Sequence, residues 1–314
     1  MGRLENLEKR LDERLAGLEK RLDDRLAALD PRMDEWGTGF GMERGRGAPS
    51  AEARTTRPVR RIGVCVGLNE VDAATYPGHK LAPLDGCVAD AERFLCVLKK
   101  KDFAAPSREG MPNDGPVKLL DRDATGSNVF AVLAAAAGEL MPDDLFVFHI
   151  SGHGGADEWC LYDGPASRED IIWAFAQFRP GVRILAINDQ CFSGGIFQPR
   201  AIGGESPFAL LCKKAGRPEG WNAAAALLRP DFPPVIQFAE CLAQQTSNDG
   251  IAGGSWTQAL LNVLETANAK GRWPTYQQWF VQAKASPTLH PGNQDPQWVE
   301  SASVTDDFRH ATAL

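Results

Sequence analysis

Leucines fall at positions 4, 7, 11, 15, 18, 22, 26 and 29, and Met33 and Trp36 continue the stripe, with Glu, Asp, Lys and Arg filling most positions between. These steps of three and four predict an amphipathic helix over 1–36. An internal repeat carries the stripe: LEKRLDERLAG (7–17) returns as LEKRLDDRLAA (18–28) and then decays from LDPRMDEW (29–36). A period of eleven is about 3.67 residues per turn, which gives a coiled-coil-like seam that is straight or slightly right-handed. A lone helix cannot bury such a seam. The pattern therefore predicts self-association or docking on a partner protein, with packing against the chain's own body as the alternative. The polar face mixes acids and bases, unlike a membrane-surface helix. Residues 37–58 are rich in Gly, Pro, Ser and Arg without any period, and predict a flexible linker.

Beyond the linker the pattern changes to short apolar runs separated by helical spacing. Strands are predicted at 61–66 (ended by Gly67), 117–120, 145–150, 182–187 and 235–241. Helices are predicted at 85–98 with Asp85 as cap, 127–140 with Ser127 as cap, 168–178, and 256–266. Continuous apolar strands alternating with helices imply a mainly parallel sheet covered on both faces, an α/β sandwich.

Composition narrows the picture. Hydrophobic residues make up 43% and charged residues 24%, as in ordinary globular domains. The net charge of −7 disfavours nucleic acid as a partner. Seven cysteines at irregular spacings, with no CxxC pair, predict buried thiols in a reducing compartment rather than a zinc or redox site. No apolar leader and no run long enough to span a membrane is visible in the sequence, so a cytoplasmic location is expected.

The chemistry gathers after two strands. LFVFHI runs into Ser151-Gly152-His153-Gly154-Gly155, and VRILAI runs into Asn188-Asp189-Gln190-Cys191-Phe192-Ser193-Gly194-Gly195. Ligand sites in open α/β sheets lie beyond the carboxyl ends of the strands, and a right-handed crossover brings these two ends to one edge. Cysteine beside histidine suits covalent catalysis: imidazole raises the thiolate population and protonates the leaving amine. The flanking glycines let a substrate backbone approach and leave the amides of Gly154 and Cys191 available to a tetrahedral oxyanion. Taken singly, each residue has a blander reading, since strand-end cysteines are usually inert. His79, His149, His290 and His310 are read as surface, capping or structural residues.

SGHG after one apolar strand and DQCFSG after the next resemble the caspase, metacaspase and orthocaspase group of cysteine peptidases. The resemblance extends over most of 61–300, through GVCVGLN, GCVADAERF, LLDRDATGSNV and FAECLAQQTSNDGIAGGSWTQALL. It implies a caspase-like α/β/α sandwich over 59–310, divided into a large-subunit-like part (59–197), a linker (198–233) and a small-subunit-like part (234–310). It implies His153 and Cys191 as a catalytic dyad. Cys87, Asp90, Ser151 and Asp189 match pocket positions of the metacaspases, which cut after arginine or lysine. A basic side chain entering a narrow pocket needs a carboxylate to offset its lost hydration, and Asp90 and Asp189 would supply it.

The family's calcium sites are poorly matched: the histidine loop offers only Asp157, Glu158 and Asp163, and no acid follows Cys191 before Glu205. A hard cation takes six or more oxygens, so no metal cofactor is expected. Arg200, Lys213, Lys214, Arg217 and Arg229 lie in the linker, where a basic-specific zymogen could cut itself, as it could at Arg44, Arg46, Arg54, Arg57, Arg60 or Arg61; an inert surface loop is the alternative. Two other functional readings stand beside the basic-specific endopeptidase: a silent scaffold oligomerised by the N-terminal helix, and a peptidase cutting after aspartate.

Overall fold

The computed structural model describes residues 57–107, 115–198, 208–243, 245, 253–289 and 294–314. The repeat helix at 1–36, most of the 37–58 linker and Arg200 lie outside the described residues.

Strands β1 (Arg61–Gly67), β2 (Val117–Leu120), β3 (Leu145–Gly152), β7 (Arg183–Gln190), β8 (Val235–Ala239) and β9 (Gln297–Glu300) form one sheet in the order β2-β1-β3-β7-β8-β9. All neighbouring pairs are parallel except β8 with β9. Three short strands between β3 and β7 make a separate antiparallel sheet: β4 (Gly154–Gly155), β5 (Glu158–Leu161) and β6 (Gly164–Ser167). Sequence patterning missed this sheet because its strands are too short, and too rich in glycine, to show a period.

Alternation along the strands builds two cores. Phe146, Phe148 and Ile150 of β3 pack with Ile184 and Ala186 of β7 against helices α2 (Gly126–Glu139) and α3 (Arg168–Phe175). Leu145 and Val147, with Leu185, Ile187, Ile236 and Phe238, face α1 (Cys87–Lys100), α6 (Ser255–Ala269) and α7 (Tyr276–Lys284). The architecture is the expected three-layer α/β/α sandwich.

Several boundaries moved for local reasons. Thr125, not Ser127, caps α2, its hydroxyl accepting the amide of Asn128 at 3.2 Å. Gly86 precedes α1, so Asp85 sits one residue outside the cap. The 198–233 connection is partly helical, with α4 (Ala209–Lys214) and α5 (Ala223–Leu227), and it buries Phe208, Cys212, Ala223, Leu227 and Phe232. A last helix, α8 (Asp306–Arg309), completes the chain. Among the described residues no helix is long and apolar enough to cross a membrane.

Candidate active site

From β1 the chain first moves to β2 on one side and then crosses to β3 on the other, which makes a switch point between β1 and β3. The carboxyl end of β3 there, with that of neighbouring β7, opens on a cavity of about 360 Å³ lined by Pro83, Leu84, Asp85, Cys87, Ser151, Gly152, His153, Asp189, Cys191 and Gly254. His153 and Cys191, assigned to one another on sequence, thus share one cavity with three of the four pocket candidates.

His153 follows β3, and its Nε2 lies 2.7 Å from the carbonyl oxygen of Ala82. A carbonyl only accepts, so Nε2 carries the hydrogen and the neutral ring has its lone pair on Nδ1. The Gln190 amide donates to the His153 carbonyl at 2.7 Å and ties the two loops together. Gly154 begins β4 against the nucleophile turn: a Cβ there would lie 2.3 Å from the Cys191 carbonyl oxygen, so only glycine allows this approach. Cys191 is half-buried, whereas Cys65, Cys87, Cys160, Cys212 and Cys241 are buried and Cys96 is exposed; none is in a disulfide. Burial pushes the Cys160 thiol up to about 12, which makes it a poor nucleophile. Phe192, just after Cys191, takes the left-handed conformation at φ 58°, and its N–H donates to the Gln245 carbonyl at 2.9 Å. That strained turn lifts Cys191 off the strand.

Pairing register sets Ser151 opposite Asp189, so both side chains leave the sheet on the face of α1 and α6. Asp189 is 4% exposed, and one of its oxygens accepts the Thr257 amide in the first turn of α6 at 2.8 Å. The partial positive charge of that helix end favours the carboxylate. Asp90 is fully buried behind the wall. It accepts the Ser151 hydroxyl at 3.2 Å, the Gly254 amide at 2.7 Å and the Arg93 guanidinium at 2.6 Å. Burial first, and the neighbouring Asp189 second, push its carboxyl up to about 7 against the pull of Gly254 and Arg93. Asp90 thus stands behind the cavity wall, bonded to the lining residues Ser151 and Gly254.

His149 is structural. It is fully buried, lies 3.0 Å from the Thr257 hydroxyl, stacks on Phe94 and stays neutral because burial lowers its ring to about 3. His79 and His310 are exposed, and His290 is outside the described residues. Of the linker cations, Lys213 and Lys214 are exposed at the end of α4. Arg217 bonds the buried carboxylate of Asp170, which takes it out of reach of an extended-chain binding site. Arg229 pairs with Asp231 at 2.5 Å and precedes Pro230. Arg57, just before the domain, is likewise bonded to Asp144 at 2.8 Å. Among the described residues no group of three or more His, Cys, Asp and Glu is arranged to hold a metal ion.

Sequence reasoning missed three features. The Ala82 carbonyl carries no side-chain signal. Gly253 and Gly254 fit against the acids so closely that a Cβ on Gly254 would fall 2.4 Å from an Asp189 oxygen. Glu240, just past the end of β8 at Ala239, is a fully buried acid beside Asp189; a charged residue inside the apolar run predicted as a strand at 235–241 was its only trace.

A parallel α/β/α sandwich with cysteine and histidine loops opening on one cavity defines a caspase-like fold. This chain belongs to the caspase-domain peptidase family, whose model matches residues 70–309. Metacaspase-2 of Trypanosoma brucei brucei is 25% identical over 195 residues, 54% of this chain and 52% of that protein, so the chain spans about half the length of that relative. Two crystal structures share the fold: a protein of Geobacter sulfurreducens (TM-score 0.59, 23% identity, 81% of this chain and 97% of that one) and caspase-1 of Spodoptera frugiperda (TM-score 0.51, 13% identity, 77% and 87%). The family is one of cysteine peptidases, and its substrates are proteins.

Proposed function

We propose that this chain is a cysteine endopeptidase that cuts proteins after arginine or lysine, with Cys191 as nucleophile and His153 as acid and base. The observation that carries the reading is the single cavity walled by His153, Cys191 and the Asp189 carboxylate. Nδ1 of His153 takes the thiol proton, the Cys191 sulfur adds to the scissile carbonyl, and the amides of Gly154 and Cys191 receive the oxyanion. His153 then returns the proton to the leaving amine, and water hydrolyses the acyl-enzyme. Asp189, with Cys87 and Ser151 beside it and Asp90 behind, receives the basic side chain before the cut.

No metal cofactor is required in this reading. Maturation by self-cleavage in 198–233 is assigned to Arg200, Lys213 or Lys214, because Arg217 is held in a buried ion pair and Arg229 precedes proline. The eleven-residue repeat at 1–36 supports association with a second copy or a partner protein.

Fluorogenic peptides ending in Arg, Lys or Asp test the reading, with wild type and Cys191→Ala, with and without a calcium chelator. Cleavage after Arg or Lys that survives chelation and vanishes in the variant is expected. Cleavage after Asp would overturn the pocket assignment. Silence on every peptide, even after the linker is nicked, would favour the scaffold.

A further inference from the structure

Parallel pairing of Asn188 with Ala239 makes Asp189 and Glu240 the next neighbours along β7 and β8. The backbone N–H of Glu240 is held by the Asn188 carbonyl at 3.0 Å and the Ser193 hydroxyl at 3.1 Å, so the residue cannot swing out. One carboxyl oxygen, Oε1, accepts from the Gln294 amide, which itself accepts the Ser255 hydroxyl at 2.8 Å. The other, Oε2, is buried and receives no N–H or O–H among the described residues, and Asp189 is the acid beside it. Two neighbouring carboxyl groups can be joined only if one of them keeps its proton and donates it.

The proton belongs on Glu240. Asp189 has the Thr257 amide to stabilise its charge, whereas Glu240 makes no ion pair among the described residues. The titratable groups that raise its carboxyl are Asp189, Cys241 and Cys191. Arg93 pairs with Asp90. Burial first and Asp189 second hold the Glu240 carboxyl well above the usual range. A second buried carboxylate touching the first would be costly without a cation, and protonation relieves that cost.

We propose that Glu240 is a specificity-positioning residue of the basic pocket, a neutral acid whose O–H donates to Asp189 and fixes that carboxylate toward the substrate's cation. The inference rests on the proposed basic specificity. It assigns the pocket an acid pair sharing one proton, so that of these two it is Asp189 that meets the incoming guanidinium or ammonium with a full charge.

The test compares Glu240→Gln, which keeps a donor at the same place, with Glu240→Ala, which removes it, on peptides ending in arginine and in its neutral isostere citrulline. Glu240→Gln should keep KM for the arginine peptide within about threefold of wild type. Glu240→Ala should raise it about tenfold, with kcat nearly unchanged and the preference over citrulline reduced. Equal losses in both variants would mean that Glu240 acts as a second carboxylate, and an unchanged KM in Glu240→Ala would mean that it positions nothing; either overturns the inference. Should the alanine variant fail to fold, infrared difference spectra of wild type against Glu240→Gln at neutral pH decide the point. Loss of a protonated-carboxyl stretch is expected, and its absence refutes the neutral acid. If wild type cleaves no basic peptide, the proposed function itself fails and the substrate role of Glu240 falls with it, while the infrared band still reports on the shared proton.

Discussion

Replacing Gly254 with alanine adds one methyl group at the point where α6 meets the pocket acids. The backbone tolerates it, since Gly254 lies at φ −63° and ψ 137°, open to any residue. The obstacle is contact: the new Cβ would lie 2.4 and 2.5 Å from the two Asp189 oxygens and 2.7 Å from their carbon. Restoring van der Waals distance requires a displacement of about 1 Å, because repulsion rises steeply inside contact. The helix cannot easily retreat, since Trp256 and Leu260 behind it are fully buried. The carboxylate has to move, and its 2.8 Å bond from the Thr257 amide is lost or badly stretched. A hydrogen bond to a charged group contributes about 1.5–3 kcal/mol. Loss of one such bond should lower Tm by roughly 3–10 °C in a domain of this size. A pocket group misplaced by about 1 Å should reduce kcat/KM on arginine peptides about 100-fold.

A double-mutant cycle separates this cause from a general disturbance of α6. With Asp189→Ala the oxygens are gone, and adding Gly254→Ala should cost less than about 0.5 kcal/mol, leaving a coupling of about 2 kcal/mol. Thermal unfolding and peptide kinetics on all four proteins supply the measurement. Equal costs in the two backgrounds, or a single variant with wild-type Tm and kcat/KM, would refute the reasoning.

Four further outcomes are expected. Cys191→Ala should abolish turnover yet leave Tm within about 2 °C, because the side chain is only half-buried; circular dichroism melts and active-site titration check it. Asp90, pushed up to about 7, is partly protonated near neutrality, and a substrate cation favours its ionised form. Affinity for arginine peptides should therefore rise between about pH 6 and 8 and then level off, with the slope lost in Asp90→Asn; 1/KM against pH reads this. The same shift bears on folding: the native state keeps a proton that the unfolded chain releases above its ordinary value of 3.8, so this contribution to stability falls as pH rises from about 4 to about 7. Arg217→Leu should cost about 3 kcal/mol in urea unfolding, because it removes the guanidinium that pairs with the buried Asp170 carboxylate; a cost under about 1 kcal/mol would mean the pair is not integral to the fold.

What the sequence determined by itself was local or strongly periodic. The parallel strands announced themselves as apolar runs, and the histidine and cysteine loops stood out because short polar, glycine-bearing segments interrupt buried strands. Asp90, Ser151 and Asp189 were legible only through resemblance, since each alone reads as an ordinary helix or strand-end residue. Tertiary structure decided the rest, because the interactions concerned join distant parts of the chain. The Asp90 carboxylate and the Gly254 amide meet across 164 positions, and His153 meets the Ala82 carbonyl across 71. Arg217 looked like a site of cleavage in a basic linker, but folding set it on Asp170, 47 positions away. Glu240 had no visible partner until β8 paired with β7, and burial beside Asp189 then holds its carboxyl well above the usual range. Periodicity records which face of an element is buried; it carries no record of which element will lie against that face, and the pocket is built from such encounters.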